Sequence, residues 1–379
     1  MKVKILNDSA VSPNFDAKQL NQVCVYPLTC KLDNGNLLCV YRQGREKHSF
    51  DGVLVVQKSK DGGETWSDQI IVYNGMSGDS PESVHTGAVC QLTDGSVVVF
   101  FTVVEETVSD IYIFSEEGRR FRQRLCIARS HDRGNTWSKP ETLDLVGVSY
   151  NVYVGSRPFL LPNGNLFVPL EATGSHGQQF TLGTISEDGG AAFSPAIITA
   201  EDKTGEFSYG DPKFSILPDG RILMLLWTFI TAREETVEVR GCLSSDNGHT
   251  WTAPVSIGVL SQIMTPLLLD SHTMLAVGNV RTIPAGIRLW ISHNNGMSWD
   301  TENSIQMWDV QESRMIGIPL KGELSKFAEQ PSEELWKALP GYTFGTPDLV
   351  LLEDNTILLS YYAVTNGITH IRACRFSMV

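Results

Sequence analysis

An eight-residue pattern, Ser-x-Asp-x-Gly-x-Thr-Trp, recurs along this chain and restricts what it can fold into. Three copies are complete: Ser59, Asp61, Gly63, Thr65, Trp66; Ser130, Asp132, Gly134, Thr136, Trp137; and Ser244, Asp246, Gly248, Thr250, Trp251. Two weaker copies keep the frame, with Ser186, Asp188, Gly190 and Phe193, and with Ser292, Asn294, Gly296, Ser298 and Trp299. Such self-similarity marks a repeat architecture, because each unit leaves apolar faces that only its neighbours cover. The residue types describe a turn: aspartate accepts from turn amides, glycine takes a positive φ without a Cβ clash, and tryptophan packs between sheets. A set repeated in five units would make five sites where an enzyme needs one, so these residues are structural.

A second pattern alternates with the first: a leucine, a short turn rich in Asp, Asn and Gly, then an apolar run. It occurs at Leu32-Asp33-Asn34-Gly35, Leu92-Thr93-Asp94-Gly95, Leu161-Pro162-Asn163-Gly164, Leu217-Pro218-Asp219-Gly220, Leu269-Asp270-Ser271-His272 and Leu352-Glu353-Asp354-Asn355. Such turns between β-branched runs signal hairpins. Six hairpins predict six repeats, each reading strand, tight turn, strand, longer loop, strand, aspartate turn, strand. That is one four-stranded blade, and the expected fold is all-β, a six-bladed β-propeller with antiparallel blades. The last blade has no room for its own outer strand before Val379, so the N-terminal segment Val3 to Leu6 is expected to supply it and close the ring. The domain reading is one propeller over 1–379 with a helical insertion at about 311–341, where Pro331 followed by acids reads as a helix start.

Hydrophobic residues make up 42% of the chain and charged residues 19%, a globular composition, and the net charge is −13. That field repels nucleic-acid phosphates and anionic membrane surfaces while leaving room for a small anion in a locally basic pocket. No apolar run at the N-terminus suits a signal core and none later approaches a membrane span, so a cytoplasmic location is expected. The seven cysteines are odd in number, sit in apolar runs and include no C-x-x-C pair, so reduced core thiols are expected. Neither G-x-x-x-x-G-K-[ST] nor H-E-x-x-H occurs, and no metal or cofactor is expected. The oligomeric state is left open.

The combined repeats resemble the sialidase-like superfamily of Asp-box propellers over nearly the whole chain. That resemblance implies boxes at the periphery and an active site on the ring axis, lined by residues that start the innermost strands. Val25-Tyr26-Pro27 stands where sialidases usually carry Arg-Ile-Pro, so one arginine of their carboxylate-clamping triad is missing at its usual place. The polar run Tyr41 to Asp51 occupies the loop that supplies an arginine and an acid/base aspartate, which singles out Arg42, Arg45 and Asp51. His48 in the same run suits proton transfer, since imidazole titrates near neutrality. His85 opens the second blade. In the third, Arg157 before Pro158 is a candidate to replace the missing arginine, and Glu171 closes the next strand. The fourth blade offers Tyr209 and Asp211 before its inner strand, as nucleophile or general base or as plain turn residues. Arg281 matches the late sialidase arginine, and Tyr342 is the nearest match to the nucleophilic tyrosine or a wall for sugar stacking.

Planar guanidinium groups meet a carboxylate with paired charge-assisted hydrogen bonds. The expected activity is therefore exo-glycosidic cleavage of sialic acid or another acidic sugar, with Asp51, Tyr342, Asp211 and His48 as catalytic candidates. Arg42, Arg45, Arg157, Arg281, Tyr209, His85 and Glu171 are the substrate-binding candidates. Two alternatives stay open: a polysaccharide lyase acting on uronic-acid glycans, and a glycan-binding propeller without catalysis.

Overall fold

Alternating apolar residues and glycine-bearing turns build six antiparallel sheets in the computed structural model, which describes residues 1–12, 22–77, 81–105, 122–145, 148, 151–174, 177–320, 342–365 and 367–379. Blade I contains Val23–Lys31, Leu37–Gly44, Val53–Ser59 and Ile70–Tyr73; blade II contains Ser83–Gln91, Val97–Val104, Gln123–Ser130 and Glu141–Thr142. Blade III begins with two short strands, Val152–Tyr153 and Phe159–Leu160, and continues through Leu166–Thr173, Gln179–Ser186 and Ile197–Ala200. Blade IV holds Phe207–Ile216, Ile222–Ile230, Glu235–Ser244 and Val255–Leu260. In blade V, Met264–Leu268, Met274–Val280, Gly286–Ser292 and Ile305–Asp309 are followed by a fifth strand, Arg314–Pro319. Blade VI joins Phe344–Leu351, Ile357–Thr365 and Ile368–Met378 to the N-terminal strand Val3–Ala10.

The N-terminal strand pairs antiparallel with Ile368–Met378, from Val3 opposite Met378 to Ala10 opposite Arg372. Ring closure therefore takes the form read from the sequence, over a longer strand than Val3 to Leu6. The start of the expected helical insertion is corrected: Arg314–Pro319 extends blade V by pairing with Ile305–Asp309. The helix read at Pro331 to Leu339 lies outside the described residues.

The repeated turns have the bonding their residues imply. In blade II, Asp132 Oδ1 accepts from the Asn135 and Thr136 amides at 3.0 and 2.9 Å, and Gly134 N–H donates to Ser130 Oγ at 2.7 Å. Gly134 sits at φ 81°, where a side chain is strained. Each turn also packs on the preceding blade: Gly134 faces Leu38, Gly248 faces Phe167, Gly296 faces Leu223, and Gly63 faces Leu358 across the closure. These contacts make the ring cooperative, since removing one blade exposes the next. The seven cysteines are buried within this apolar packing.

Candidate functional site

Four innermost strands carry a register irregularity near the same end. It falls between Val25 and Leu28, between Val84 and Thr86, between Gly210 and Lys213, and between Gly345 and Asp348. Three of these spans contain an X-Pro pair whose first residue has positive φ: Tyr26 at 60°, Asp211 at 46° and Thr346 at 45°. Proline cannot donate to a ladder and is confined to edges and bulges, while a bulge re-aims the side chain beside it. Tyr26, His85, Asp211 and Thr346 consequently line one axial cavity. It holds about 880 Å³ of space between atoms, including its open mouth.

One wall is cationic and aromatic. Lys47 is buried and donates from Nζ to Tyr362 Oη at 2.7 Å. Its nitrogen lies 4.9, 5.5 and 5.7 Å from the ring centres of Tyr362, Tyr342 and Tyr26. Burial, then the charge of Arg281, pull its pKa well below that of an ordinary lysine, against the opposing pull of Asp211. Arg281 stacks 4.0 Å from the Tyr342 ring centre and is oriented by Gln262 Oε1 at 2.9 Å and the Phe344 carbonyl at 2.7 Å. Next to this wall, Tyr26 Oη and His48 Nε2 are 2.9 Å apart. Burial, reinforced by Lys47, His85 and Arg42, pushes His48 well below the usual imidazole pKa, and burial then Arg42 bring His85 down to about 3. Both imidazoles are therefore neutral at pH 7.

Another part of the lining is acidic. Glu171 Oε2 accepts the backbone N–H of Asp211 at 2.8 Å, which draws two carboxylates together. Burial first, then the Asp211 charge, raise the Glu171 pKa to about 8, despite the Asp211 amide, Lys213 and a bond from Tyr153. Asp211 is raised too, by burial, with Lys213 and Lys47 opposing. Like charges this close do not ionise together readily, so at neutral pH the pair retains a proton. Room for the Glu171 carboxylate comes from Gly155, where a Cβ would lie 2.0 Å from Glu171 Oε1. Lys213 lies beside the pair, with Nζ donating to the Gly155 carbonyl at 2.7 Å.

Six sequence candidates thus line the cavity: His48, His85, Glu171, Asp211, Arg281 and Tyr342. Five do not. Arg42 is buried under the loop, giving Nε to the Val84 carbonyl at 2.9 Å, Nη1 to the Glu46 carbonyl at 2.7 Å and Nη2 to the Ser49 carbonyl. With its donors taken by main chain, it is a clip that shapes the loop carrying Lys47 and His48. Arg45 is 62% exposed and pairs with Asp51 at 3.0 Å outside the cavity. Asp51 accepts from Ser49 Oγ at 2.5 Å and from the Arg45 amide at 3.1 Å. Burial raises its pKa, but those bonds with the Arg45 and Arg42 charges prevail and hold it below normal. An acid held ionised in this way suits a loop staple rather than a proton donor. Arg157 reaches across the axis from blade III, donating to the Thr29 and Leu349 carbonyls of blades I and VI, with Asp348 at 3.5 Å. It braces the inner strands of blades I and VI outside the cavity. Tyr209 is buried in a cluster with Met224, Leu226 and Cys242.

The cavity also takes in Lys47, Tyr26, Tyr153, Lys213, Asn279 and Tyr362, which stand outside the catalytic and substrate-binding candidates of the sequence. The proline-bearing inner strand signals Tyr26, and Lys47 stands inside the polar run from Tyr41 to Asp51. Among the described residues no group of three or more His, Cys, Asp or Glu side chains is placed to hold a metal ion, and no helix is long and apolar enough to cross a membrane.

The BNR repeat-like domain family matches residues 35–325. No protein of curated function matches the chain. Among solved structures, a Dyadobacter fermentans protein of unknown function is 20% identical with a TM-score of 0.72, each chain covered completely. A Hadza microbial sialidase is 16% identical with a TM-score of 0.68, over 93% of this chain and 65% of that one. The NanB sialidase of Streptococcus pneumoniae is 13% identical, also at 0.68, over 98% of this chain and 70% of its own. Likeness at these identities establishes the fold alone. With the six blades, the repeated turns and a family match over most of its length, this chain belongs to the BNR repeat-like domain family and folds as a six-bladed β-propeller.

Proposed function

We propose that the protein is a glycosidase that cleaves a sialic acid or another acidic sugar in the axial cavity. The observation that carries this reading is the buried Glu171–Asp211 pair, bonded through the Asp211 N–H, in which burial and the neighbouring carboxylate push Glu171 up to about 8, in the same cavity as Lys47 and Arg281. Protonated Glu171 serves as general acid toward the departing glycosidic oxygen, a role that needs a carboxyl raised toward the working pH. Arg281 and Lys47 hold the substrate anion by charge-assisted hydrogen bonds. A phenol on the cationic wall, Tyr342 or the neighbouring Tyr362, supplies the nucleophile, since tyrosine takes that part in sialidases. Solved propellers of this fold include the Trypanosoma rangeli sialidase in complex with sialic acid, which supports a small glycan substrate. A panel of chromogenic sialosides and uronides tests the proposal. Turnover abolished by Glu171→Gln is expected, and absence of turnover on every member sinks it.

A second reading, a lyase on uronic-acid glycans, is favoured by one observation: Tyr26 Oη lies 2.9 Å from the neutral His48. That pair is suited to removing a proton next to a carboxylate neutralised by Lys47 and Arg281. Ultraviolet absorbance of a new carbon–carbon double bond in the product separates it from hydrolysis.

A further inference from the structure

We infer that Asn279 and Thr346 form a recognition subsite for an uncharged, hydroxyl-bearing part of the ligand, adjoining the place where its carboxylate meets Arg281. The inference rests on the acidic-sugar reading and deepens it. Asn279 is 1% exposed and lines the cavity, yet neither its amide oxygen nor its amide nitrogen has a hydrogen-bond partner. Its main chain is fully used: N–H donates to the Ile263 carbonyl at 3.2 Å, and its carbonyl accepts from the Gln262 amide at 3.1 Å. Thr346 Oγ1 is likewise buried without a partner, on the residue that the bulge before Pro347 turns toward the cavity. The strand bearing Asn279 packs against the strand bearing Thr346.

Buried polar atoms left unpaired are destabilising, and native proteins keep few of them unless something else completes the bonding. A primary amide offers an acceptor and two donor hydrogens, and a threonine hydroxyl offers either role. A carboxylate only accepts, so it cannot satisfy the Asn279 oxygen. A sugar hydroxyl donates and accepts at once, so a pair of ring hydroxyls matches the amide. Asn279 is the penultimate residue of the strand Met274–Val280 and Arg281 the first residue beyond it; both line the cavity, with Cα atoms about 7 Å apart. A pyranose whose carboxylate reaches Arg281 spans that interval with its neighbouring hydroxyls.

Calorimetric titration with D-glucuronate, N-acetylneuraminate and cyclohexanecarboxylate tests the inference, because the last keeps ring and charge but no hydroxyl. Wild type is expected to favour at least one sugar acid over cyclohexanecarboxylate by about tenfold or more, and Asn279→Leu to cut that preference to about threefold or less. Asn279→Leu is also expected to raise the melting temperature, because leucine has a similar volume and removes the unpaired amide. Thr346→Val should act in the same direction with a loss of about threefold, and it stands as the independent check if the first variant misfolds. An unchanged preference in a folded variant overturns the subsite. So does a wild type without preference, or an Asn279→Leu protein that melts earlier while binding normally. Hydroxyl-dependent binding without turnover would end the glycosidase reading and leave the subsite standing; turnover with KM unmoved by Asn279→Leu would do the reverse.

Discussion

At the rim of the ring, five turns hold nearly the same bonds. Asp61, Asp132, Asp188 and Asp246 each accept from main-chain amides, and Asn294 does so through its amide oxygen. At the axis, the four bulged inner strands present Tyr26, His85, Asp211 and Thr346 to one cavity. Repetition at the rim serves a need every blade shares, closure onto the blade before it. Divergence at the axis serves a need that arises once. The comparison teaches that in this propeller the repeated residues hold the fold, while the residues that differ from blade to blade line the cavity.

The largest expected effect is at the acidic wall. Glu171→Gln should lower kcat by about 100- to 10,000-fold, the usual loss for a general acid, with the fold retained. A linked measurement sharpens it. The folded-state pKa of about 8 lies above the ordinary 4.5, so the folded protein binds the extra proton between these values. The contribution of Glu171 to stability is intact below about pH 4.5 and is lost as pH rises toward about 8. Denaturant titrations should show wild type weakening across that window and Glu171→Gln lacking this component of the decline. Activity that depends on protonated Glu171 should fall above about pH 8.

Next comes Arg42→Met, which leaves the Val84, Glu46 and Ser49 carbonyls without their donor. A stability loss of about 3 kcal/mol is expected from several orphaned acceptors. Any fall in activity should follow disorder of the loop that carries Lys47 and His48; full activity with unchanged stability would refute the clip. Lys47→Met should raise KM for an anionic substrate by about 10- to 100-fold, the worth of one hydrogen bond to a charged group. The same change should leave binding of a neutral glycoside nearly unaltered.

At the rim, Asp132→Ala should cost about 1–2 kcal/mol, by analogy with the loss of a capping carboxylate, and leave kcat unchanged. A large fall in kcat without destabilisation would break the division between rim and axis. The smallest effect belongs to Asp51→Asn, where an ion pair with the exposed Arg45 is worth about 0–1 kcal/mol. A loss of kcat as great as that of Glu171→Gln would restore Asp51 as the acid and overturn its assignment as a loop staple.

The repeats made the ring legible because each structural need recurs. Asp-Gly and Asn-Gly turns, boxes and alternating apolar runs are local in sequence and carry their own geometry. The end of the ring was legible by subtraction, since a blade without an outer strand needs one from elsewhere. The site was legible only in part. His85, Asp211 and Tyr342 stand in or just before inner strands, Glu171 near the end of a second strand and His48 and Arg281 just beyond one, and all six line the cavity. Arg42, Arg45, Asp51, Arg157 and Tyr209 stand in equally suggestive places, yet main-chain carbonyls, one another or the core claim them.

The amino-acid order by itself determined the number of blades, their hairpins and the structural role of the boxes, because those features depend on neighbours a few residues apart. Only the tertiary structure decided which charged side chain meets a cavity and which meets a carbonyl. Arg157 finds its partners in two other blades, and Glu171 meets Asp211 forty positions along the chain. Such pairings, with the burial that sets their protonation, exist only once the ring has closed.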